Sequence, residues 1–215
     1  MRESQRVITP EILDSLDPSD PRAIRSRRDL RHIDAFLGNT RWVVRQLLPP
    51  HAAETGIVEI GAGSGDLCAK LQAALPATTI TGLDLIERPD PLPATIRWIS
   101  GDFFETLPGI RAGACVGSLI LHHFPQSVLR ELGRLLATFP LLVFCEPLRS
   151  AFPLAMAGLA APFVGEVTRH DMPASIRAGF QKGELAPALG LRPDTWHIQE
   201  IATHRGSLRL VARRR

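Results

Sequence analysis

The apolar residues of the first fifty positions recur at the spacing of an amphipathic helix. Four of them fall roughly on one helical face, with arginines between them: Ile24, Leu30, Ile33 and Leu37. Gly38 interrupts the pattern, and a second apolar face follows until the prolines at positions 49 and 50. The pattern predicts helices over residues 10–48, which we expect to form an N-terminal helical cap of residues 1–50.

Two prolines in this region each follow a residue type that caps helices. Pro10 follows Thr9, and Pro21 follows Asp20. Proline suits the first turn of a helix, and Thr or Asp suits the position before it. The sequence therefore predicts a helix start at both places.

From residue 56 onwards the pattern changes to short apolar runs separated by helical segments. The strand-like runs cover residues 57–60, 78–83, 96–99, 114–120 and 141–145, and helical faces cover residues 67–75 and 128–137. Alternating helices and nearly continuous apolar strands predict a parallel sheet that is covered on both faces. Two last runs, residues 196–203 and 207–212, are so close in sequence that they should form an antiparallel hairpin.

The composition is that of a globular protein and narrows the class of partner. The 215 residues are 45% hydrophobic and 22% charged, which suits one sizeable α/β core rather than two domains. The pI is near 9.1, but Lys70 and Lys182 are the only lysines, so we interpret the positive charge as an arginine bias. The basic segments at residues 22–31 and 213–215 contain no common nucleic-acid-binding motif, so we expect no nucleic-acid partner.

The cysteines and the apolar stretches indicate a cytoplasmic protein without a membrane span. Cys68, Cys115 and Cys145 lie singly in apolar runs, which is typical of buried, reduced thiols. The first residues contain no apolar signal segment. The longest stretches without charged residues, 112–129 and 150–165, contain proline and fall short of the roughly 20 residues that usually span a bilayer.

The strongest local signal is a glycine-rich loop between the first predicted strand and the helix after it. Gly61, Gly63 and Gly65 stand at every second position, with Ala62 between the first two. Such a loop lets a ligand approach the backbone and offers it the free N–H groups of a helix N-terminus. The spacing differs from the Gly-x-Gly-x-x-Gly pattern of pyrophosphate-binding loops. Glu59 precedes the loop, where a carboxylate would repel a pyrophosphate but could hold an ammonium group.

Two acidic residues end the next two predicted strands. Asp84 ends the second strand, where an acid in doubly wound folds accepts hydrogen bonds from ribose hydroxyls. Asp102 ends the third strand, where it can accept from an adenine amino group while Phe103 covers the ring. Either acid alone would be ordinary turn chemistry. Together with Glu59, they favour S-adenosylmethionine (SAM), which combines an ammonium group, a ribose and an adenine.

These motifs resemble those of the class I SAM-dependent methyltransferases over residues 56–146. The resemblance includes residues 118–124, which follow the fourth strand. More narrowly, residues 28–34, Gly38 and residues 167–177 resemble a bacterial subgroup of small methyltransferases, often encoded near polyketide or phenolic biosynthesis genes.

The resemblance implies a fold and a domain organisation. The fold is α/β, with a Rossmann-like class I methyltransferase sheet of seven mostly parallel strands, a C-terminal antiparallel hairpin and the N-terminal helical cap. The SAM-binding methyltransferase domain would cover residues 51–215, with a substrate-side insert at residues 150–190.

The resemblance also implies SAM as the cofactor and S-adenosylhomocysteine (SAH) as its product, with no metal. The residues expected to bind the cofactor are Glu59, Gly61, Ala62, Gly63, Gly65, Asp84, Leu85, Asp102, Phe103 and Ser118. After Asp84 the family usually carries a helix, but here prolines 89, 91 and 93 forbid a normal helix interior. We therefore expect an extended loop on that side of the adenosine pocket.

Three histidines are candidates for a general base, which methyl transfer needs only for a weakly acidic hydroxyl or a protonated amine. His122 and His123 follow strand four, near the expected methyl group, although packing or capping roles are the alternative. The resemblance places His170 in the substrate-side cap. His170 and Asp171 are not expected to pair simply as neighbours, but both can face one pocket from a loop. Glu146, which matches an acid of the family, could face the acceptor or serve a structural role.

Two further segments bear on the acceptor. Residues 150–165 contain no charged side chain. Core packing is the favoured interpretation, and an apolar lid over a hydrophobic acceptor is the alternative. Arg25, Arg28 and Arg31 of the cap could meet an anionic substrate group, although a solvated helix face is the default.

The sequence thus predicts methyl transfer from SAM to a small, apolar or phenolic acceptor, at oxygen rather than carbon. A SAM-binding protein without catalysis stays open as an alternative, as does a methyltransferase acting on RNA or protein. Methylation of base amino groups is disfavoured because residues 118–121 replace the Asn/Asp-Pro-Pro-Tyr motif and the chain has no tyrosine. A nicotinamide-dependent oxidoreductase is disfavoured by Glu59, the glycine spacing and the hairpin. The oligomeric state is left open.

Overall fold

A computed structural model describes residues 5–48 and 55–215. The strands are β1 (Ile57–Ile60), β2 (Ile80–Asp84), β3 (Arg97–Ser100), β4 (Ala114–Ser118), β5 (Leu141–Pro147), β6 (Trp196–Ala202) and β7 (Ser207–Arg214). The α-helices are α1 (Pro21–Leu37), α2 (Asn39–Leu47), α3 (Asp66–Ala74), α4 (Phe103–Thr106), α5 (Gln126–Leu136), α6 (Ala151–Ala160), α7 (Glu166–Ala178) and α8 (Leu185–Ala188). The predicted domain boundary between residues 50 and 51, with the prolines at 49 and 50, lies outside the described residues.

The described strands form one seven-stranded sheet in the order β3-β2-β1-β4-β5-β7-β6. The first five strands are parallel to their neighbours, and β7 is antiparallel to β5 and β6. The predicted sheet, with its C-terminal hairpin, is therefore confirmed. The strand order reverses between β1 and β4, and open α/β sheets bind ligands at the carboxyl ends of the strands beside such a switch point.

Apolar side chains from alternate strand positions form a core on each face of the sheet. Val43 of α2 and Leu71 of α3 are fully buried on one face. Leu129 of α5 and Leu185 of α8 are fully buried on the other. Both faces of the sheet are therefore covered at its centre, where β1 and β5 are buried along their whole length.

Buried polar contacts dock the helical cap on the rest of the fold. Asn39 at the start of α2 accepts hydrogen bonds from the Ser207 hydroxyl at 2.7 Å and from Arg209 Nε at 3.2 Å, both on β7. Asp29 of α1 accepts a 2.7 Å hydrogen bond from the backbone N–H of Gly165, just before α7. The cap is therefore anchored both to the sheet and to the insert between β5 and β6.

One of the two predicted helix starts is correct. Asp20 caps α1 by accepting a hydrogen bond from a first-turn N–H, and Pro21 is the first residue of the helix. The start predicted at Pro10 is wrong, because it is followed by a short 3-10 helix (Leu13–Ser15). The chain becomes extended after that turn, and Pro18 disfavours a helical conformation in the residue before it.

The uncharged segment at residues 150–165 forms α6 and the turn after it. Pro153 and Ala157 of α6 are buried, but four large apolar side chains are partly or mostly exposed: Phe152, Met156, Leu159 and Phe163. Core packing, the favoured interpretation, is therefore wrong for these four. The helix needs only its opposite face, with its small residues, to pack on the protein.

All three cysteines are buried free thiols, as their apolar surroundings predicted. Burial raises the pKa of Cys68 and of Cys115, so both keep their protons at neutral pH. Within residues 5–48 and 55–215, no helix combines the length and the apolar character that crossing a bilayer requires.

Candidate functional site

The glycine loop turns the chain sharply from β1 into α3. Gly61, Gly63 and Gly65 have φ values of +64°, +50° and +73°, a region that disfavours other residues. A Cβ on Gly61 would lie 2.6 Å from the side chain of Ile120, whereas a Cβ on Gly63 would have no atom within 4 Å. The loop therefore packs tightly at its first glycine and is open at its second.

Glu59 of β1 is the most unusual carboxylate of the site. It is only 3% exposed, and its Oε2 atom has no hydrogen-bond partner among the described residues. Burial raises its pKa from 4.5 to about 8, although a hydrogen bond with Cys68 opposes this shift. A buried oxygen without a partner is costly, so Glu59 is suited to a ligand that brings a positive hydrogen-bond donor.

Asp84 at the end of β2 holds the glycine loop in place. Its Oδ2 atom accepts a hydrogen bond from the backbone N–H of Gly63 at 2.7 Å, and its Oδ1 atom accepts from that of Ile86 at 3.2 Å. Leu85, the next predicted binding residue, is 75% exposed. Asp84 and the open glycine thus lie together, as the sequence predicted for neighbouring strand ends.

The other predicted cofactor residues lie at the carboxyl ends of β3 and β4. Asp102 is exposed and caps α4 by accepting a 2.8 Å hydrogen bond from the Phe104 N–H. Phe103 is 8% exposed and packs edge-on against Phe124, so its role of covering an adenine stays a prediction. Ser118 is half-buried at the end of β4.

The proline-rich segment after Asp84 is an extended loop, as its prolines predicted. Arg88 fastens it by donating hydrogen bonds to the carbonyl oxygens of Leu92, Pro93 and Ile96 at 2.7 to 3.0 Å. The Leu92 side chain lies against Gly65, 2.7 Å from where a Cβ would be. The loop therefore forms a wall directly beside the glycine loop, in place of the expected family helix.

The helical cap also approaches the glycine loop. Arg31 of α1 lies 3.7 Å from the carboxylate of Asp66, the first residue of α3. Asp66 in turn accepts a 2.7 Å hydrogen bond from the Ser64 hydroxyl. One of the three cap arginines that the sequence singled out therefore reaches the edge of the glycine loop.

Glu146 of β5 organises the turn that follows β4. It is fully buried, and its carboxylate accepts hydrogen bonds from three successive backbone N–H groups, those of Ile120, Leu121 and His122. Just before them, Leu119 has a φ of +60°, an unfavourable conformation for a branched residue. The carboxylate therefore has a structural role, since it holds a strained turn at the end of β4.

His122 lies between two carboxylates. Its Nδ1 atom is 2.8 Å from Glu146 and its Nε2 atom is 3.3 Å from Glu11, and the side chain is 3% exposed. Burial alone would lower its pKa, but the hydrogen bonds to Glu11 and Glu146 outweigh burial and raise the pKa from 6.5 to about 9. His122 is therefore protonated on both ring nitrogens and positively charged at neutral pH in this arrangement.

The N-terminal segment supplies acids that sequence reasoning missed. Glu11 accepts a hydrogen bond from the Ser175 hydroxyl of α7 as well as facing His122. Asp14 lies 3.4 Å from Nδ1 of His123, a contact that lowers the pKa of Asp14. These side chains come from distant parts of the chain, and no periodicity or motif around Glu11 indicated this role.

The same cluster bears on the expectation that no metal is bound. Glu11, His122 and His123 offer ligand atoms within 4.8 Å of one another, a spacing that one ion could bridge. Glu11 and His122 are already engaged in the hydrogen bonds described above. The absence of a metal therefore stays a prediction.

His170 and Asp171 lie on helix α7, not on a loop, and they pair directly. Nδ1 of His170 is 2.9 Å from Oδ1 of Asp171, so the expectation that these neighbours would not pair is wrong. Asp171 is buried and accepts the backbone N–H groups of Ile12 and Leu13 at 2.9 and 3.0 Å, whereas the His170 side chain is 54% exposed. Asp171 thus holds the N-terminal segment that carries Glu11, and a catalytic role for His170 stays a prediction.

Solved structures, among them those of two methyltransferases, share this fold. The plantazolicin methyltransferase BpumL, in complex with a monoazolic desmethylPZN analogue and SAH, matches 91% of this chain and 91% of its own at a TM-score of 0.66 and 12% identity. Human N-acetylserotonin methyltransferase, in complex with SAM, matches 94% of this chain and 61% of its own at a TM-score of 0.63 and 15% identity. The pyocyanin biosynthetic protein PhzM matches 96% of this chain and 62% of its own at a TM-score of 0.62 and 19% identity.

The chain spans about three-fifths of the length of the last two proteins. No protein-family model and no curated protein matches the sequence. At these identities the likeness shows the fold, and the predicted Rossmann-like class I methyltransferase fold is confirmed.

Proposed function

We propose that this protein transfers a methyl group from SAM to an oxygen atom of a small apolar or phenolic acceptor and releases SAH. The observation that carries the proposal is the buried, partner-less oxygen of Glu59, which lies two positions before an open glycine loop. The fold supports it, because the structures that share this fold include methyltransferases with SAM or SAH bound. We expect the protein to act as an enzyme in the cytoplasm.

The residues at the strand ends fit SAM. The ammonium group of its amino-acid end would satisfy Glu59, and the space beside Gly63 would admit that end to the loop. Asp84 and Asp102 would accept hydrogen bonds from the ribose and the adenine, with Leu85 and the proline-rich loop as the wall. Bound SAM supplies an electrophilic sulfonium methyl group, so the protein's task is to position it and exclude water.

Calorimetric titration with SAM, SAH, NAD and NADP tests the cofactor assignment. We expect binding of SAM and SAH and none of the two nicotinamide dinucleotides, because the glycine spacing differs from that of pyrophosphate-binding loops. Binding of NAD or NADP with no binding of SAM would refute the proposed function.

The two loop glycines provide a matched pair of substitutions. Gly63→Ala should weaken SAM binding at least about tenfold with a loss of stability near 1 kcal/mol, because its Cβ enters open space at a positive φ. Gly61→Ala should destabilise more, by roughly 2–3 kcal/mol, because its Cβ collides with Ile120. Urea unfolding and calorimetry separate the two effects. Unchanged SAM binding in Gly63→Ala would show that the open glycine does not face the cofactor.

His122 is the favoured group for accepting the proton of the acceptor hydroxyl. While Glu11 faces His122 its pKa is about 9, so the free enzyme must lose this proton before the imidazole can act as a base. Glu146 orients the imidazole through Nδ1, which leaves Nε2 as the atom that meets an acceptor. In the structure Glu11 faces Nε2, so the acceptor hydroxyl must take the place of Glu11.

We expect His122→Gln to lower the rate of methyl release about 100-fold or more, while SAM binds within a few-fold of the wild type. Wild-type kcat/KM should rise with pH up to about 9, where His122 loses its proton, and the variant should lose this rise. Methyl release over a panel of phenolic and polyketide acceptors measures the rate and its pH dependence. His197→Gln, at an exposed position of β6, is the control. If His122→Gln has wild-type rates at every pH, His122 is not the general base, and His123 and His170 are the candidates that are left.

The contact between Glu11 and His122 also favours a second function, a SAM-binding protein without catalysis. If Glu11 stays on Nε2 whenever SAM is bound, no acceptor can reach the imidazole. Cofactor binding with no methyl release across the whole acceptor panel, also in Glu11→Ala, would favour this second function.

A further inference from the structure

Helix α6 and the turn after it present an apolar face to the solvent. Phe152, Met156 and Leu159 are spaced by four and three residues, so they share one side of the helix, and they are 55%, 37% and 69% exposed. Phe163 follows in the turn and is 82% exposed. We call these four residues the α6 stripe.

The chemistry of this segment is unusual for a solvent-facing helix. No residue between 150 and 165 is charged, so the exposed side of α6 lacks the polar side chains that normally cover such a face. Proteins that stay in water rarely expose a contiguous row of large apolar side chains, and such a row marks an interaction site. The stripe therefore has the character of an interaction surface.

Arginines next to the stripe indicate the chemistry of that partner. A cavity of about 450 Å³ lies between the start of α1 and residues 164–169, directly after Phe163 in the chain, and its charged lining residues are Arg22, Arg25, Glu166 and Arg169. Arg22 is paired with Asp20 and lies 4.0 Å from Glu166.

The other two arginines of the cavity have no carboxylate partner within residues 5–48 and 55–215. Arg25 makes no hydrogen bond or ion pair with any residue in the described part of the chain. Arg169 donates to the backbone oxygens of Ala161 and Val164, at 2.9 and 3.4 Å. Two guanidinium groups therefore remain for an anionic group that approaches next to the end of the stripe.

We propose that the α6 stripe and the arginine-lined cavity dock this protein on the surface of an anionic lipid bilayer. Phe and Leu side chains on one helical face insert at the boundary between headgroups and acyl chains, and nearby arginines bind lipid phosphates. A second copy of this chain fits less well, since pairing through the stripe would bring two sets of arginines to one interface. The proposal needs no methyl transfer, so it can fail or hold independently of the proposed function.

Vesicle flotation with the full chain tests the proposal. We compare vesicles of phosphatidylcholine alone with vesicles containing about one-third phosphatidylglycerol. We expect at least about tenfold stronger binding to the anionic vesicles, and weaker binding as salt is raised. Leu159→Asp combined with Phe163→Asp should lower that binding about tenfold or more. Arg25→Gln combined with Arg169→Gln should remove most of the preference for anionic vesicles.

Two substitutions outside the surface serve as controls. Leu48→Asp replaces another exposed apolar side chain, 52% exposed, and Arg130→Gln replaces an exposed arginine of α5, so both should bind like the wild type. Circular dichroism checks that each variant is folded. Failure of the wild type to bind either vesicle would overturn the proposal, as would equal binding by the aspartate variants. A dimer in light scattering that Leu159→Asp dissociates would assign the stripe to self-association instead.

Discussion

We expect Glu59→Gln to weaken SAM binding strongly and at the same time to stabilise the cofactor-free protein. Glu59 is 3% exposed with an oxygen that no described residue satisfies, so the ammonium group of SAM would be its natural partner. Glutamine has the same shape but no charge to offer. Loss of one member of a buried charge pair costs several kcal/mol, so the Kd for SAM should rise about 100-fold or more in a calorimetric titration.

The gain in stability follows from the pKa of the same carboxyl group. Burial raises that pKa from 4.5 to about 8, so between these values the unfolded chain carries an ionised Glu59 and the folded chain a protonated one. Stability of the cofactor-free protein is therefore lost as pH rises through this window. Glutamine does not titrate, so its advantage in unfolding free energy should be small at pH 5 and should reach roughly 4 kcal/mol at pH 8. For a chain of this size that is a rise in Tm of about 8–16 °C.

Thermal melts without SAM at pH 5 and pH 8 measure this difference. Glu87→Gln, an exposed carboxylate on the proline-rich loop, should change neither Tm nor SAM binding. A Glu59→Gln variant that still binds SAM within a few-fold would mean that the ammonium group lies elsewhere. An equal gain in Tm at both pH values would mean that Glu59 is ionised in the folded protein.

The proposed cofactor side of the site could be predicted from the sequence because its parts are local. Glu59, the glycine loop and the start of α3 form one continuous stretch, and Asp84 and Asp102 each end a strand that periodicity located. Parallel strands bring their carboxyl ends to one edge of a sheet, so strand assignment alone placed these residues near one another. The proline-rich wall was predictable for the same reason, since proline acts on its own segment.

The proposed acceptor side could not be predicted because its residues come together from distant segments. Glu11, His122, Glu146 and Ser175 come from the N-terminal segment, the turn after β4, the end of β5 and α7. Nothing in the sequence around Glu11 distinguishes it from an acid in the first turn of a helix, which is how Thr9 and Pro10 were interpreted. The position of Glu11 depends on Asp171, which binds the backbone of Ile12 and Leu13.

The stripe on α6 shows a different limit of sequence interpretation. Hydrophobic residues without charges between them predict burial, but they do not say whether the covering surface belongs to the same chain. The segment carries both kinds of apolar residue, with Pro153 and Ala157 buried on the protein and Leu159 and Phe163 in solvent. Only the fold shows which face is already covered.

Glu146→Gln should be among the most destabilising single substitutions in this protein, although it changes only an oxygen to an amide nitrogen. The carboxylate accepts three backbone N–H groups and faces the His122 ring, all without exposure to water. The amide group of glutamine has a single acceptor oxygen, so at least one N–H would face an NH₂ group. We expect a loss of about 3 kcal/mol in urea unfolding at pH 7.

The pH dependence of this loss separates the ion pair with His122 from the backbone contacts. The pKa of His122 is raised from 6.5 to about 9, so the stability that its charged form contributes is present below pH 6.5 and is lost as pH rises to about 9. The difference in unfolding free energy between the wild type and Glu146→Gln should therefore narrow between pH 6 and pH 9.5. It should not reach zero, because the wild type keeps the backbone contacts of Glu146 at every pH.

Two further variants complete this experiment. Glu11→Gln should weaken the pH dependence of the unfolding free energy and cost little stability at pH 9.5. Glu11 contacts only the side chains of His122 and Ser175 in these two interactions. Glu131→Gln, at an exposed position of α5, should unfold like the wild type throughout. If the loss of unfolding free energy in Glu146→Gln stays constant over the whole pH range, His122 is uncharged in the folded protein. The expected rise of kcat/KM up to about pH 9 could then not be assigned to the titration of His122.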